Sequence, residues 1–105
     1  TWQRDSRRVV ADPLPTRVYA DNTSSDRFTI LDIFTADRRG LLYTITRALY
    51  ELGLSVERAK IGTFLDQVVD VFYLRDQGGA KIEDHQRLEA IRARLLEVIE
   101  PTTSE

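Results

Sequence analysis

The chain has 105 residues, 42% of them hydrophobic and 30% charged, and fifteen Lys+Arg against seventeen Asp+Glu leave a formal charge of -2. That length suits one domain with a genuine core, and the near balance of charge offers no basic footprint for nucleic acid and no polybasic patch for a membrane. The absence of cysteine excludes a disulfide framework, a thiolate nucleophile and a cysteine-based zinc site, and with no apolar run near the ~18 residues of a membrane helix and no secretory signal pattern, a soluble cytoplasmic domain is expected.

The chain opens on Thr1 and contains no Met, which reads as a piece of a longer protein. Residues 1–15 form a polar, Arg-rich leader. Pro13 and Pro15 favour extended backbone, so 11–16 reads as a linker. Trp2 in this leader reads as the end of a preceding domain. Arg17 to Ala20 predicts a short strand, residues 21–26 a turn, and Phe28 to Thr35 a strong strand rich in β-branched and aromatic residues, the two strands pairing as a hairpin. Apolar residues at Leu41, Leu42, Ile45, Ala48, Leu49 and Leu52 then stripe one face of a helix. Asp37 is its expected N-cap and Gly53 its C′ stop. Val56 to Phe64 and Val68 to Leu74 predict two more strands around a tight turn at Leu65-Asp66-Gln67. After a loop over 76–81, Leu88, Ile91, Leu95 and Ile99 mark a second helix, with Glu83 and Asp84 in its first turn and Pro101 halting it.

This order predicts an α+β fold of ferredoxin-like type, a four-stranded antiparallel sheet with two helices on one face. The domain spans 16–100 and a short polar tail 101–105. No strand follows the last helix, so Arg17–Ala20 is expected to fill that edge slot in a permuted ββαββα order. Both central strands are apolar on both faces apart from single carboxylates. Ordinary surface hydrophobicity or a covering partner, such as a second copy or a neighbouring domain, accounts for that.

Chemistry is sparse. His85 is the lone histidine, placed on an exposed helix start without the Ser and carboxylate of a triad, and one histidine without cysteine makes no His-rich metal centre. Asp32 and Asp70 lie on adjacent central strands. As a pair they could hold a cation or do acid–base work; singly they are outward solubility residues beside Arg27, Arg58 or Arg75. No phosphate loop, dinucleotide fingerprint, calcium loop or basic–aromatic RNA motif is present. The segment Asp37-Arg38-Arg39-Gly40-Leu41-Leu42 stands out, because a helix N-terminus after a central strand suits a carboxylate and Gly40 admits a close approach. A plain capped helix start explains the same residues.

At this segment the sequence resembles the ACT family of small-molecule-sensing regulatory domains. FTILDIFTADRRGLLYTITRALYELGLSVERAKIGTF followed by DQVVDVFYLRD carries the D-R-x-G-L-L turn, the A-L-x-x-L-G-L helix end, the A-K-I-x-T strand and the D-V-F-Y strand in order. More narrowly it resembles the C-terminal ACT domains of bacterial protein-PII uridylyltransferase/uridylyl-removing enzymes, with P-T-R-V-Y-A-D-N ahead of the first long strand. The resemblance implies a ferredoxin-like ACT sandwich that is not itself catalytic and needs no cofactor or metal. It implies pairing with another ACT domain in the same chain or in a homodimer, a free amino acid as ligand, with glutamine indicated, and the PII signal protein as partner of the parent enzyme. Ligand contacts carried over fall on Asp37, Arg38, Arg39, Gly40, Leu41 and Leu42, with the backbone of Leu54 to Val56 secondary. Arg39 stands where family members often have Pro. An ACT-like pairing module without a ligand is the alternative. A small enzyme on the same fold, of acylphosphatase type, ranks last because Asn22, the only Asn, falls in a predicted turn. With helical angles at Gly40, Gly40→Val is expected to crowd a ligand at little cost to the fold, and Asp37→Ala to remove a cap worth ~1 kcal/mol.

Overall fold

A computed structural model describes residues 15–65 and 67–100. Trp2 and the rest of the leader up to residue 14, Asp66, and the tail from Pro101 lie outside the described residues. The β-branched runs form β1 (Arg17–Asp21), β2 (Thr29–Thr35), β3 (Leu54–Phe64) and β4 (Gln67–Asp76), and the amphipathic segments form α1 (Leu41–Glu51) and α2 (His85–Ile99). The strands make one antiparallel sheet in the order β1-β2-β4-β3. β1 pairs with β2 from Arg17 opposite Phe34 to Asp21 opposite Ile30. The first strand thus fills the edge slot beside the first long strand. Arg92 of α2 donates to the Val18 carbonyl at 2.7 Å, tying the helix to that edge strand.

Strand alternation divides the residues between two faces. Leu31 and Ile33 of β2, Phe72 and Leu74 of β4, and Val18 of β1 pack beneath Leu41, Ile45, Ala48 and Leu49 of α1 and Ile91, Leu95 and Ile99 of α2. Gly53 closes α1 at φ 80, with its N–H on the Tyr50 carbonyl, the left-handed C′ geometry that glycine adopts without strain. α2 begins at His85, so neither Glu83 nor Asp84 falls in its first turn as expected. Asp84 is its N-cap, accepting from the Arg87 N–H at 3.2 Å, and Glu83 precedes the helix. A short carboxylate side chain reaches the third amide only from the extended backbone of the cap position.

The opposite face carries aromatic side chains that pack on one another. Phe34 meets Tyr19 and Phe64 edge-on, and Phe28 meets Tyr73. Arg17 lies 4.6 Å over Phe34, and Arg58 and Lys60 lie over Tyr73. Ile30, on this same face, is already buried by its own chain opposite Tyr73.

The turn into α1 departs from the expected cap. The helix starts at Leu41, Gly40 is the N-cap with φ 74 and ψ 6, and no side chain caps it. Leu41 N–H bonds the Arg38 carbonyl at 3.2 Å, which makes Arg38–Leu41 a β-turn with Arg39 second and Gly40 third. Positive φ at the third position alone is type II geometry, which wants glycine there and favours proline before it. Asp37 lies too far back along the chain to reach the first amides. Arg39→Pro therefore pre-sets a turn already formed, and is expected to raise stability by ~0.4–1 kcal/mol, read as a higher urea midpoint at unchanged slope.

Candidate functional site

With the cap role gone, the Asp37 carboxylate is left for other work. The loop after β2 carries it over the start of α1, where a hollow of about 210 Å³ is lined by Asp37, Arg38, Gly40, Leu41, Leu42 and Tyr43, and across from them by Ile61, Val68 and Asp70. The structure therefore brings most of the expected contact turn to one concavity. Arg39, exposed beside it, does not line it. The first turn of α1 leaves its N–H groups at Leu42 and Tyr43 without partners among the described residues, since Leu41 bonds Arg38 and Thr44 bonds Gly40. Those two donors, the positive end of the helix dipole, and the missing Cβ of Gly40 make a seat for an anionic group.

Arg38 is committed elsewhere. Its guanidinium donates to the carbonyls of Val98 and Ile99, at 3.4 and 3.2 Å, and so satisfies the open end of α2. Leu54, Ser55 and Val56 line a separate hollow of about 540 Å³ with Glu57, Arg75 and Asp76, so within one chain they do not meet the turn. His85 opens α2 on the exposed surface. No group of three or more His, Cys, Asp or Glu side chains that could hold a metal ion occurs among the described residues.

Asp32 and Asp70 do not form the pair considered from their neighbouring strands. Asp32 lies opposite Val71 and Asp70 opposite Ile33, so they occupy opposite faces of the sheet. Nor is Asp70 an outward solubility residue: it is 2% exposed on the helix side. It lines the same hollow as Asp37, a proximity of loop and strand that sequence separation hides.

A family model described as an ACR9-like, ACT-like domain matches residues 17–103. The chain belongs to the ACT-like domain family. It is 46% identical over 91 residues to a bifunctional uridylyltransferase/uridylyl-removing enzyme of Gluconobacter oxydans (strain 621H), which covers 87% of this chain and 10% of that protein. Enzymes of the same name from Azospirillum brasilense (42% over 86 residues, 82% of this chain and 9% of the relative) and Novosphingobium aromaticivorans (39% over 99 residues, 92% and 11%) are also similar. The chain spans about a tenth of the length of these curated relatives. No solved structure matches it. The ACT-like domain itself is a regulatory, non-catalytic module. None of its described helices is long and apolar enough to cross a membrane.

Three carboxylates of this ACT-like domain give it a pH signature. Burial and then the charge of Asp37 push the Asp70 pKa up; burial and then Asp21 push Asp32 up. Between the ordinary value of 3.8 and those raised values the folded state binds more protons than the unfolded one. Stability therefore falls as pH rises through that window. Asp21 acts oppositely: hydrogen bonds from the Ser24 hydroxyl and the Thr23 amide lower it to about 2, so its contribution is present above 3.8 and lost as pH falls towards 2. Asp70→Asn is expected to flatten the decline above about pH 4, measured as urea midpoints between about pH 4 and 8. An unchanged decline would mean that Asp70 is solvated.

Proposed function

We propose that this ACT-like domain senses a free amino acid, glutamine being the leading ligand, and regulates a uridylyltransferase/uridylyl-removing enzyme of which it is a part. The carrying observation is the hollow at the start of α1. A free amino acid presents a carboxylate and an ammonium a few ångströms apart. The unpartnered N–H groups of Leu42 and Tyr43 suit the first, and the uncapped Asp37 carboxylate suits the second. Similarity to enzymes named for uridylyl transfer and removal supports the parent, with the PII signal protein as its partner and the cytoplasm as its place.

Calorimetry of the chain against the twenty free amino acids tests this reading, with saturable binding of glutamine as the expected result. If none of the twenty binds, the domain is not a sensor. Gly40→Val is not a clean probe of the site, because φ 74 strains a β-branched residue even though a Cβ there meets nothing within 4 Å. Asn tolerates left-handed backbone better. Gly40→Asn is expected to weaken glutamine binding while lowering unliganded stability by no more than ~1 kcal/mol.

A pairing role is also favoured by one feature. Tyr43 and Ile61, both at the hollow, are 66% and 59% exposed, and Ile61 lies on the edge strand β3. A second ACT domain laid along β3 would cover them. Sedimentation should then show a dimer that Ile61→Lys converts to monomer.

A further inference from the structure

Asp70 is a carboxylate that the protein buries and leaves alone. It sits on β4 between Ile33 of β2 and Ile61 of β3, on the side of the sheet that carries α1. It is 2% exposed, no described residue donates a hydrogen bond to its side chain, and its carboxylate keeps a slight opening onto a hollow rather than being fully enclosed. Buried polar groups in native proteins are nearly always paired, and a buried charge is strongly unfavourable unless compensated. Asp70 lines the same hollow as Asp37, the two contributed by different elements, and the proximity of Asp37 adds to the effect of burial in raising the Asp70 pKa. No lysine lines that hollow, and the Arg38 guanidinium is held on the carbonyls of Val98 and Ile99. No cation among the described residues compensates Asp70, so its carboxyl group is neutral by holding a proton or is ionised opposite a cation that enters the hollow.

Its chemistry can be read from the donor set. Calcium takes six to eight oxygen ligands and magnesium demands an octahedron, whereas only two carboxylates converge here. A primary ammonium is a compact charge with three N–H donors. Two carboxylates supply charge and acceptors for such a group, and the open amides of Leu42 and Tyr43 lie on the same hollow for an attached anionic group.

We infer that Asp37 and Asp70 together seat the primary ammonium group of the ligand, Asp70 from the floor of the hollow and Asp37 from its loop. This rests on the amino-acid-sensing reading and extends it. The domain then distinguishes free amino acids from their N-acylated or deaminated counterparts, which bring a carboxylate but no ammonium. In the unliganded state the two carboxylates oppose each other, and the ligand relieves that opposition.

Two measurements on the full chain separate this inference from the reading beneath it. In the first, the side-chain carboxyl carbons of Asp37 and Asp70 are followed by carbon-13 NMR during titration with ethylammonium, tetramethylammonium or magnesium chloride. Saturating shifts of both resonances with ethylammonium alone are expected, because tetramethylammonium has the charge without the N–H donors. In the second, calorimetry compares glutamine with N-acetylglutamine on the unmodified chain and on Asp70→Asn and Asp37→Asn. Glutamine affinity should fall about ten- to a hundredfold in each variant, as loss of a charge-assisted hydrogen bond predicts. N-acetylglutamine should not bind, and Asp70→Asn should not lower the unliganded melting temperature. Ethylammonium saturation without binding of any amino acid would uphold the carboxylate pair and overturn the sensing reading. Glutamine binding unchanged in Asp70→Asn, or saturation by magnesium in place of ethylammonium, would overturn the pair and leave sensing intact. If neither titrant nor any amino acid saturates, both are wrong.

Discussion

Phe72→Ala is expected to remove ~3–5 kcal/mol of stability, the largest loss from any single truncation considered for this domain. Phe72 is fully buried at the middle of β4, paired with Leu31 on one side and Ala59 on the other. It is the largest side chain between the sheet and the two helices, so its removal leaves a cavity that neighbours in rotamer minima fill only in part. A domain of this size has about 5–15 kcal/mol of net stability. The variant should therefore unfold at a much lower urea concentration, with far-UV circular dichroism as the readout. Phe34→Ala provides the comparison. Phe34 is only half-buried, on the face that no helix covers, and its truncation should be milder. Equal losses at the two positions would mean that the uncovered face packs as tightly as the core.

Thr29→Val should destabilise the domain by ~1–3 kcal/mol, for a different reason. The Thr29 hydroxyl is fully buried and serves two loops: it donates to the Asn22 side-chain oxygen at 2.7 Å and accepts from the Ile82 amide at 2.8 Å. Asn22 in turn donates to the Ile82 carbonyl, and Lys81 donates to the carbonyls of Asn22 and Ser25. Valine keeps the shape and the strand preference of threonine but orphans the Ile82 N–H. The penalty comes from that unsatisfied donor rather than from lost contact area. Thr29→Ser should retain most of the stability, and hydrogen exchange at the Ile82 amide should quicken in Thr29→Val alone. Thr29 and the Asp37 loop lie at opposite ends of β2, about 20 Å apart along an extended strand. Glutamine affinity should therefore be unchanged by Thr29→Val wherever the variant remains folded.

The amino-acid sequence by itself determined the element order and the identity of most core residues, and it singled out the turn from Asp37 to Leu42. Short runs rich in β-branched and aromatic residues, bounded by turn residues, read as strands, and the offsets of three and four from Leu41 to Leu49 as a helix. A short first strand next to a long one, joined by polar turn residues, dictated the edge position of β1. Motifs spread across four elements carried the ACT resemblance before any contact was known. The tertiary structure alone decided which face of each central strand the helices cover. Val68, Asp70, Phe72 and Leu74 share one face of β4, and Val69, Val71 and Tyr73 share the other; both sets are largely apolar, so alternation could not choose between them. That choice buried Asp70 and sent Asp32 to the other side. The start of α1 was decided the same way. Asp37 and Gly40 both suit a cap position, and the backbone settled on a type II turn at Gly40, which freed Asp37 to face Asp70 across the hollow. Sequence neighbours state what a carboxylate can do, but only the packing of a loop against a strand brings a buried carboxyl group, Asp70, and an exposed one, Asp37, to the same hollow, where burial and the nearby charge raise the Asp70 pKa.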